Sequence, residues 1–195
     1  VSGSELEGFS VIKNLLPQST LLESDCNGNI IATLGNINSD DVILLDAHND
    51  RIGLIVEYID DNGFLKVSNC GGIDRRVLAG SVITVLGSKP LRGIVSCLPP
   101  HLSDGAEDEA PKNGTLYIDT GLNKTEVEKY VSPGDQAAVF AKPKKLIGSK
   151  FSAAGLDNKA GVASLIRTAQ IIADSNISSC VKILFSSQEE TGLLG

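Results

Sequence analysis

Carboxylates and imidazole gather at three points of this chain, each where an apolar run ends or a helical pattern begins. Asp46-Ala47-His48-Asn49-Asp50 follows the apolar run Val42-Ile43-Leu44-Leu45. Gly155-Leu156-Asp157-Asn158-Lys159-Ala160-Gly161 opens a helical pattern, and Gln188-Glu189-Glu190 follows Val181-Lys182-Ile183-Leu184-Phe185. Groups of this kind, delivered to one rim of a sheet, suit metal-dependent hydrolysis. In open α/β sheets that rim lies at the carboxyl ends of the strands.

Each cluster also has a plain structural reading. Residues i and i+2 of a strand share a face, so His48 and Asp50 can act together if the strand continues through them. Imidazole is the commonest metal ligand, and a neighbouring carboxylate can orient it. Equally, His48 can be a buried histidine and Asp50 a turn former. Asp157 can bridge two metal ions, or simply cap a helix by accepting free backbone N–H groups. Glu189 and Glu190 are adjacent and in an extended chain point to opposite sides. One can then bind metal while the other serves as a general base. The bland reading is an acidic loop after a strand. A glycosidase would need two carboxyl groups roughly 5–9.5 Å apart across a sugar bond, which adjacent residues do not naturally supply.

The surrounding pattern says what must position these groups. Ser2 and Glu5 are spaced as a capping box, and Leu6, Phe9, Ile12, Leu15 and Leu16 then recur at helical spacing until Pro17. Segments 20–23 and 29–34 flank Asn27-Gly28 and predict a hairpin. The run 42–45 predicts a strand buried on both faces, followed by a strand over 52–59. From about 60 to 145, short apolar runs at 64–67, 82–86, 93–97, 116–119 and 137–140 alternate with turn signals, which predicts a small β-barrel. Residues 99–113 read as a loop and 124–130 as one short helix. Residues 158–174 are helical in period, with Asp157 at the N-cap, and 181–185 is another buried strand. These alternations predict an α/β fold with a mainly parallel central sheet. Its domains would be 1–59 and 146–195, with the barrel of 60–145 inserted between them in sequence.

Composition narrows the function classes. The 195 residues are 42% hydrophobic and 21% charged, as expected of a soluble globular chain. Aromatic residues make up only 4%, so the core must be aliphatic. A net charge of −7 argues against nucleic acid as a partner, because phosphate binding needs a basic footprint. No apolar run reaches the roughly 20 residues of a membrane span, and no signal peptide is visible. Cys26, Cys70, Cys97 and Cys180 are widely spaced, without a Cys-x-x-Cys pair, and read as reduced thiols of a cytoplasmic protein. The absence of Met, the initial Val1 and the short run after Glu190 suggest a fragment of a longer protein.

Taken together, the motifs carry more than any one alone. Ala47-His48-Asn49-Asp50-Arg51-Ile52-Gly53, Leu156-Asp157-Asn158-Lys159-Ala160-Gly161 and Gln188-Glu189-Glu190-Thr191-Gly192 stand in the order and spacing of one family. So do Gly71-Gly72-Ile73-Asp74, Arg76-Val77-Leu78-Ala79-Gly80, Leu98-Pro99-Pro100-His101-Leu102 and Tyr117-Ile118-Asp119-Thr120-Gly121 within the insert. The chain resembles the tetrahedral aminopeptidase and glutamyl aminopeptidase family of co-catalytic metallopeptidases, some of them labelled endoglucanases. The resemblance covers essentially the whole sequence.

It implies a phosphorylase/hydrolase-like catalytic fold and two divalent metal ions, zinc or cobalt. His48 would ligate one ion, Asp157 would bridge both and Glu190 would ligate the other. Asp50 would support His48, and Glu189 would be the general base that activates water. Two further ligands, an Asp and a His, would lie beyond Gly195. His101 falls in an insert motif and is not among the implied ligands. The substrates would be peptides with a free N-terminus, and the barrel would serve assembly of a homo-oligomer, a dodecamer. Arg51 departs from the acidic residue frequent in the family and hints against strongly basic substrates, and Lys159 stands where Arg is common. The competing readings are a non-catalytic family member or fragment acting in assembly or peptide binding, and, further off, a glycosidase.

Overall fold

The computed structural model describes residues 1–96 and 115–195. Cys97, His101 and the loop expected at 99–113 lie outside the described residues. The chain divides into two compact units: Ser2–Arg51 with Gly155–Gly195, and Ile52–Ala154 with Val1.

The first unit holds all three acidic clusters. Helix α1 (Leu6–Leu15) buries Phe9 and Ile12, one face of the helical pattern. Strands β1 (Leu21–Ser24) and β2 (Ile30–Gly35) form the expected antiparallel hairpin. Gly28 at its tip has φ +86°, a left-handed conformation that a side chain would strain. Strand β3 (Val42–His48) follows in this unit.

The second unit intervenes in sequence. Its strands are β4 (Gly53–Ile59), β5 (Leu65–Cys70), β6 (Val82–Leu86), β7 (Pro90–Ser96), β8 (Leu116–Asp119) and β9 (Gln136–Val139). They close into a barrel in the order β4-β5-β8-β7-β6-β9, with every pairing antiparallel. Inward residues alternate along the strands, as Leu65 and Val67 do on β5 and Ile83 and Val85 on β6, all fully buried. A short helix α2 (Lys124–Val127) carries a capping box between Asn123 and Glu126. The two-residue strands β10 (Lys144–Lys145) and β11 (Phe151–Ser152) make a separate exposed hairpin. Strand β4, expected to precede the barrel, pairs with β5 and β9 inside it, so the barrel starts before residue 60. The hydrophobic run of β4 fits either a sheet or a barrel, and only the pairing decides.

After the barrel, α3 (Leu156–Ala173) packs Val162, Ile166, Ala169 and Ile172 into the core, and β12 (Cys180–Ser186) follows. The sheet of the first unit has the order β1-β2-β12-β3. Here the expectation of a mainly parallel sheet fails: β12 runs parallel to β3, but β2 is antiparallel to both β1 and β12. The β1–β2 hairpin places an antiparallel ribbon where a strand–helix–strand crossover would have given a parallel one. Strand β3 is also not buried on both faces. It is an edge of this sheet, and Val42, Ile43 and Leu44 are exposed. Among the described residues, no helix is long and apolar enough to cross a membrane.

Candidate metal centre

The parallel pairing of β3 with β12 brings the two strand ends together, with Ser186 opposite His48. The Asn49 N–H continues the ladder by donating to the Ser186 carbonyl at 2.8 Å. The chain that leaves β3 (His48 to Asp50) and the chain that leaves β12 (Ser187 to Glu190) therefore start side by side. The short 3-10 turn Glu189–Thr191 then presents both glutamates.

His48, Glu189 and Glu190 each offer a ligand atom, and these atoms lie within 4.8 Å of one another. His48 Nε2 is 3.0 Å from Asp157 Oδ1 and 3.9 Å from Glu189 Oε2. Four of the five side chains expected at the site, His48, Asp157, Glu189 and Glu190, thus converge, although Asp157 is not part of the tight trio. The Asp157 side chain is 88% exposed, whereas the imidazole is largely buried.

Asp157 reaches His48 because it does not cap the helix as expected. Asp157 and Asn158 have non-helical backbone angles, and a cis peptide bond joins them. The Asn158 Oδ1 accepts the Gly161 N–H at 3.1 Å, so Asn158 does the capping and the Asp157 carboxylate is left for the site.

Asp50 is placed differently from a simple support for His48. Its carboxylate oxygen is 3.5 Å from His48 Nδ1, and that nitrogen makes no hydrogen bond. The firm bonds of Asp50 are instead from the Glu189 N–H (3.1 Å) and the Glu190 N–H (3.0 Å). Only 1% exposed, Asp50 ties the strand that carries His48 to the turn that carries both glutamates.

Sequence reasoning missed several braces of this turn. Glu5, read as half of a capping box, is itself the N-cap residue of α1 and caps nothing with its side chain. Its Oε1 accepts from the Gly3 N–H (2.8 Å) and the Gln188 N–H (3.1 Å). Ser2, the other half, shares a hydrogen bond with Thr191 (3.0 Å). Asn29 accepts the Ser187 N–H at 2.8 Å and is held by Asp25. No spacing signal links residues so far apart in sequence.

The electrostatics follow from crowding. Burial pushes the Glu190 carboxyl above its ordinary range, and the charges of Glu189, Asp157 and Asp50 add to the effect. Burial works against a charged His48, but the Asp157 hydrogen bond and the charges of Glu189 and Asp50 outweigh it and raise its pKa above the ordinary 6.5. In the metal-free protein the His48 ring is therefore expected to titrate above 6.5, and Asp157→Asn to bring it down. NMR of the ring protons checks this readily, since the chain has two histidines. A His48 titration at or below 6.5, or one indifferent to Asp157→Asn, counts against the pairing.

The donor set fits a divalent transition metal. One imidazole nitrogen and carboxylate oxygens are the ligands of zinc and its neighbours. Four carboxylates around one imidazole also leave an excess of negative charge that a cation relieves.

Comparison with known proteins gives the family. Residues 28–195 match the family model described as M42 glutamyl aminopeptidase. This chain belongs to the M42 family. A lysyl aminopeptidase of Pyrococcus furiosus is 30% identical over 205 residues, covering 100% of this chain and 57% of that protein. Among solved structures, an aminopeptidase of Desulfurococcus kamchatkensis superposes with a TM-score of 0.91 at 28% identity, over 100% of this chain and 54% of its own. The TET1 peptidase of Pyrococcus horikoshii, which can assemble into a tetrahedron or a large octahedral shell, gives 0.88 at 33% identity, over 98% and 58%. The M42 chain described here spans about half the length of the curated relatives it matches, 46% to 57% of the first three.

Proposed function

We propose that this chain supplies the general base and part of the metal site of a metal-dependent aminopeptidase, acting in the cytoplasm on peptides with a free N-terminus. The observation that carries the proposal is the convergence of His48, Glu189 and Glu190 within 4.8 Å at the paired ends of β3 and β12. Membership of the M42 family supports the reaction class.

In this reading His48, Asp157 and Glu190 hold two divalent ions, zinc or cobalt. When bound, these ions supply Lewis acidity to polarise the scissile carbonyl and to make water more acidic. Glu189 takes the proton from the attacking water and passes it to the leaving amine. Asp50 fixes the backbone of both glutamates, so the base and its neighbouring ligand keep one spacing. Arg51, immediately after the His48-Asn49-Asp50 segment, disfavours strongly basic N-terminal residues. The barrel serves assembly, and the assembled form is a homo-oligomer, as in relatives described as a dodecamer or a tetrahedron.

The test is hydrolysis of a panel of aminoacyl-anilides by the full protein, with zinc, with cobalt and with chelator. Chelator-sensitive release of the N-terminal residue is the expected result. Inactivity on every anilide with metal present would favour a role in assembly or peptide binding. Cleavage of carboxymethyl-cellulose untouched by chelator would favour a glycosidase.

A further inference from the structure

Among the described residues, Lys159 is a half-buried cation beside the cluster that the reaction above leaves without a task. It sits in the first turn of α3, two residues after Asp157. Its ammonium donates to two oxygens of a single residue, the Asn49 carbonyl and the Asn49 side-chain Oδ1. Asn49 lies between His48 and Asp50 and is itself buried.

The surroundings of Asn49 show why the grip matters. With Oδ1 turned to Lys159, Nδ2 has no hydrogen-bond partner. That nitrogen lies against Gly8 of α1, where a Cβ would stand 2.7 Å from it. A buried amide with an unpaired donor is costly and persists only where something else fixes its orientation. Two charge-assisted bonds from an ammonium are strong enough to do so.

We propose that Lys159 is a positioning residue for the metal centre, locking the His48–Asp50 segment at the end of β3 to the start of α3 through Asn49. The two elements it joins are those that carry His48 and Asp157, whose 3.0 Å contact crosses the same seam. The hydrogen bonds of Lys159 go to Asn49 and to neither of these side chains. It holds the backbone from which each projects, so that the imidazole and the carboxylate meet in one geometry. Arginine at this position would bring equivalent donors.

The proposal rests on the aminopeptidase reading only for its metal readout. Lys159→Met keeps the stem and removes the donors, and Lys159→Arg restores donors. The His48 ring signal in the metal-free protein is compared by NMR, zinc affinity by competition with a chromogenic chelator, and folding by the melting temperature. The expected result is that K159M shifts or splits the His48 signal and weakens zinc binding roughly 10–100-fold, while K159R restores both to near wild type. A folded K159M with unchanged His48 signal and zinc affinity overturns the proposal. So does a folded K159R as impaired as K159M. Should K159M fail to fold, K159R alone decides: it must keep the wild-type signal. If the wild type binds no zinc, the metal reading falls, and the His48 signal still decides the role of Lys159.

Discussion

Glu189→Gln is expected to lower peptide hydrolysis by the metal-loaded protein about 10²–10⁴-fold, the usual loss on removing a general base, with zinc binding close to wild type. Glutamine keeps the size and the hydrogen-bonding oxygen of glutamate but cannot take up a proton at neutral pH. The loss should fall on kcat, because the side chain acts on the proton of water and not on substrate affinity. The prediction discriminates because Glu189 also belongs to the trio within 4.8 Å that could hold an ion. If E189Q loses zinc in step with activity, Glu189 is a ligand, and the roles assigned to Glu189 and Glu190 are exchanged. Zinc content measured beside kcat and KM separates the two outcomes.

How much of this site was legible beforehand depends on whether the signal was local. The strand leading to His48, the helix after Asp157 and the strand before Glu189 each show in hydrophobic period, so the three chemical clusters could be placed on element ends. Strands β6 and β8 fall on the runs that predicted them, 82–86 and 116–119. What failed was pairing. Whether β2 lies parallel or antiparallel to β12, and whether β4 joins the sheet or the barrel, depends on partners remote in sequence. The apolar run of β3 predicts burial on both faces; within residues 1–195, Val42 to Leu44 lie exposed on an edge strand of the four-stranded sheet. The braces failed for the same reason. Ser2 and Glu5 have the spacing of a capping box, yet their side chains go to Thr191 and Gln188, more than 180 residues away. Asn158, not Asp157, caps α3, and two adjacent residues that both cap well cannot be ranked from sequence.

Asp50 is where fold and chemistry meet, and its replacement should damage both. Asp50→Ala leaves the Glu189 and Glu190 N–H groups without the acceptor they now have. An unsatisfied buried donor costs about 1–3 kcal/mol, so two of them put the expected destabilisation at roughly 2–6 kcal/mol. Asp50→Asn should be nearly as harmful. Its amide offers one oxygen, but its NH₂ would face one of the two backbone N–H groups, donor against donor. Urea unfolding followed by circular dichroism measures the loss, and a D50N midpoint equal to wild type would refute the clamp. The pH dependence has a definite sign. Burial alone would raise the Asp50 carboxyl, but the N–H bonds from Glu190 and Glu189 and the Ser2 hydroxyl hold it below its ordinary 3.8. A carboxyl lowered by folding stabilises the protein above its unfolded pKa, and this contribution disappears as pH falls through the folded value. Wild type should therefore lose stability on acidification below about pH 4 along a limb that D50N lacks in part. The same clamp sets the metal prediction apart from a purely structural one. With the Glu189–Glu190 turn released, zinc affinity should fall roughly 10–100-fold, as it does when outer partners of metal ligands are removed. It should do so even in mild conditions where D50N remains folded, because the ligand-bearing turn loosens before the rest of the unit unfolds.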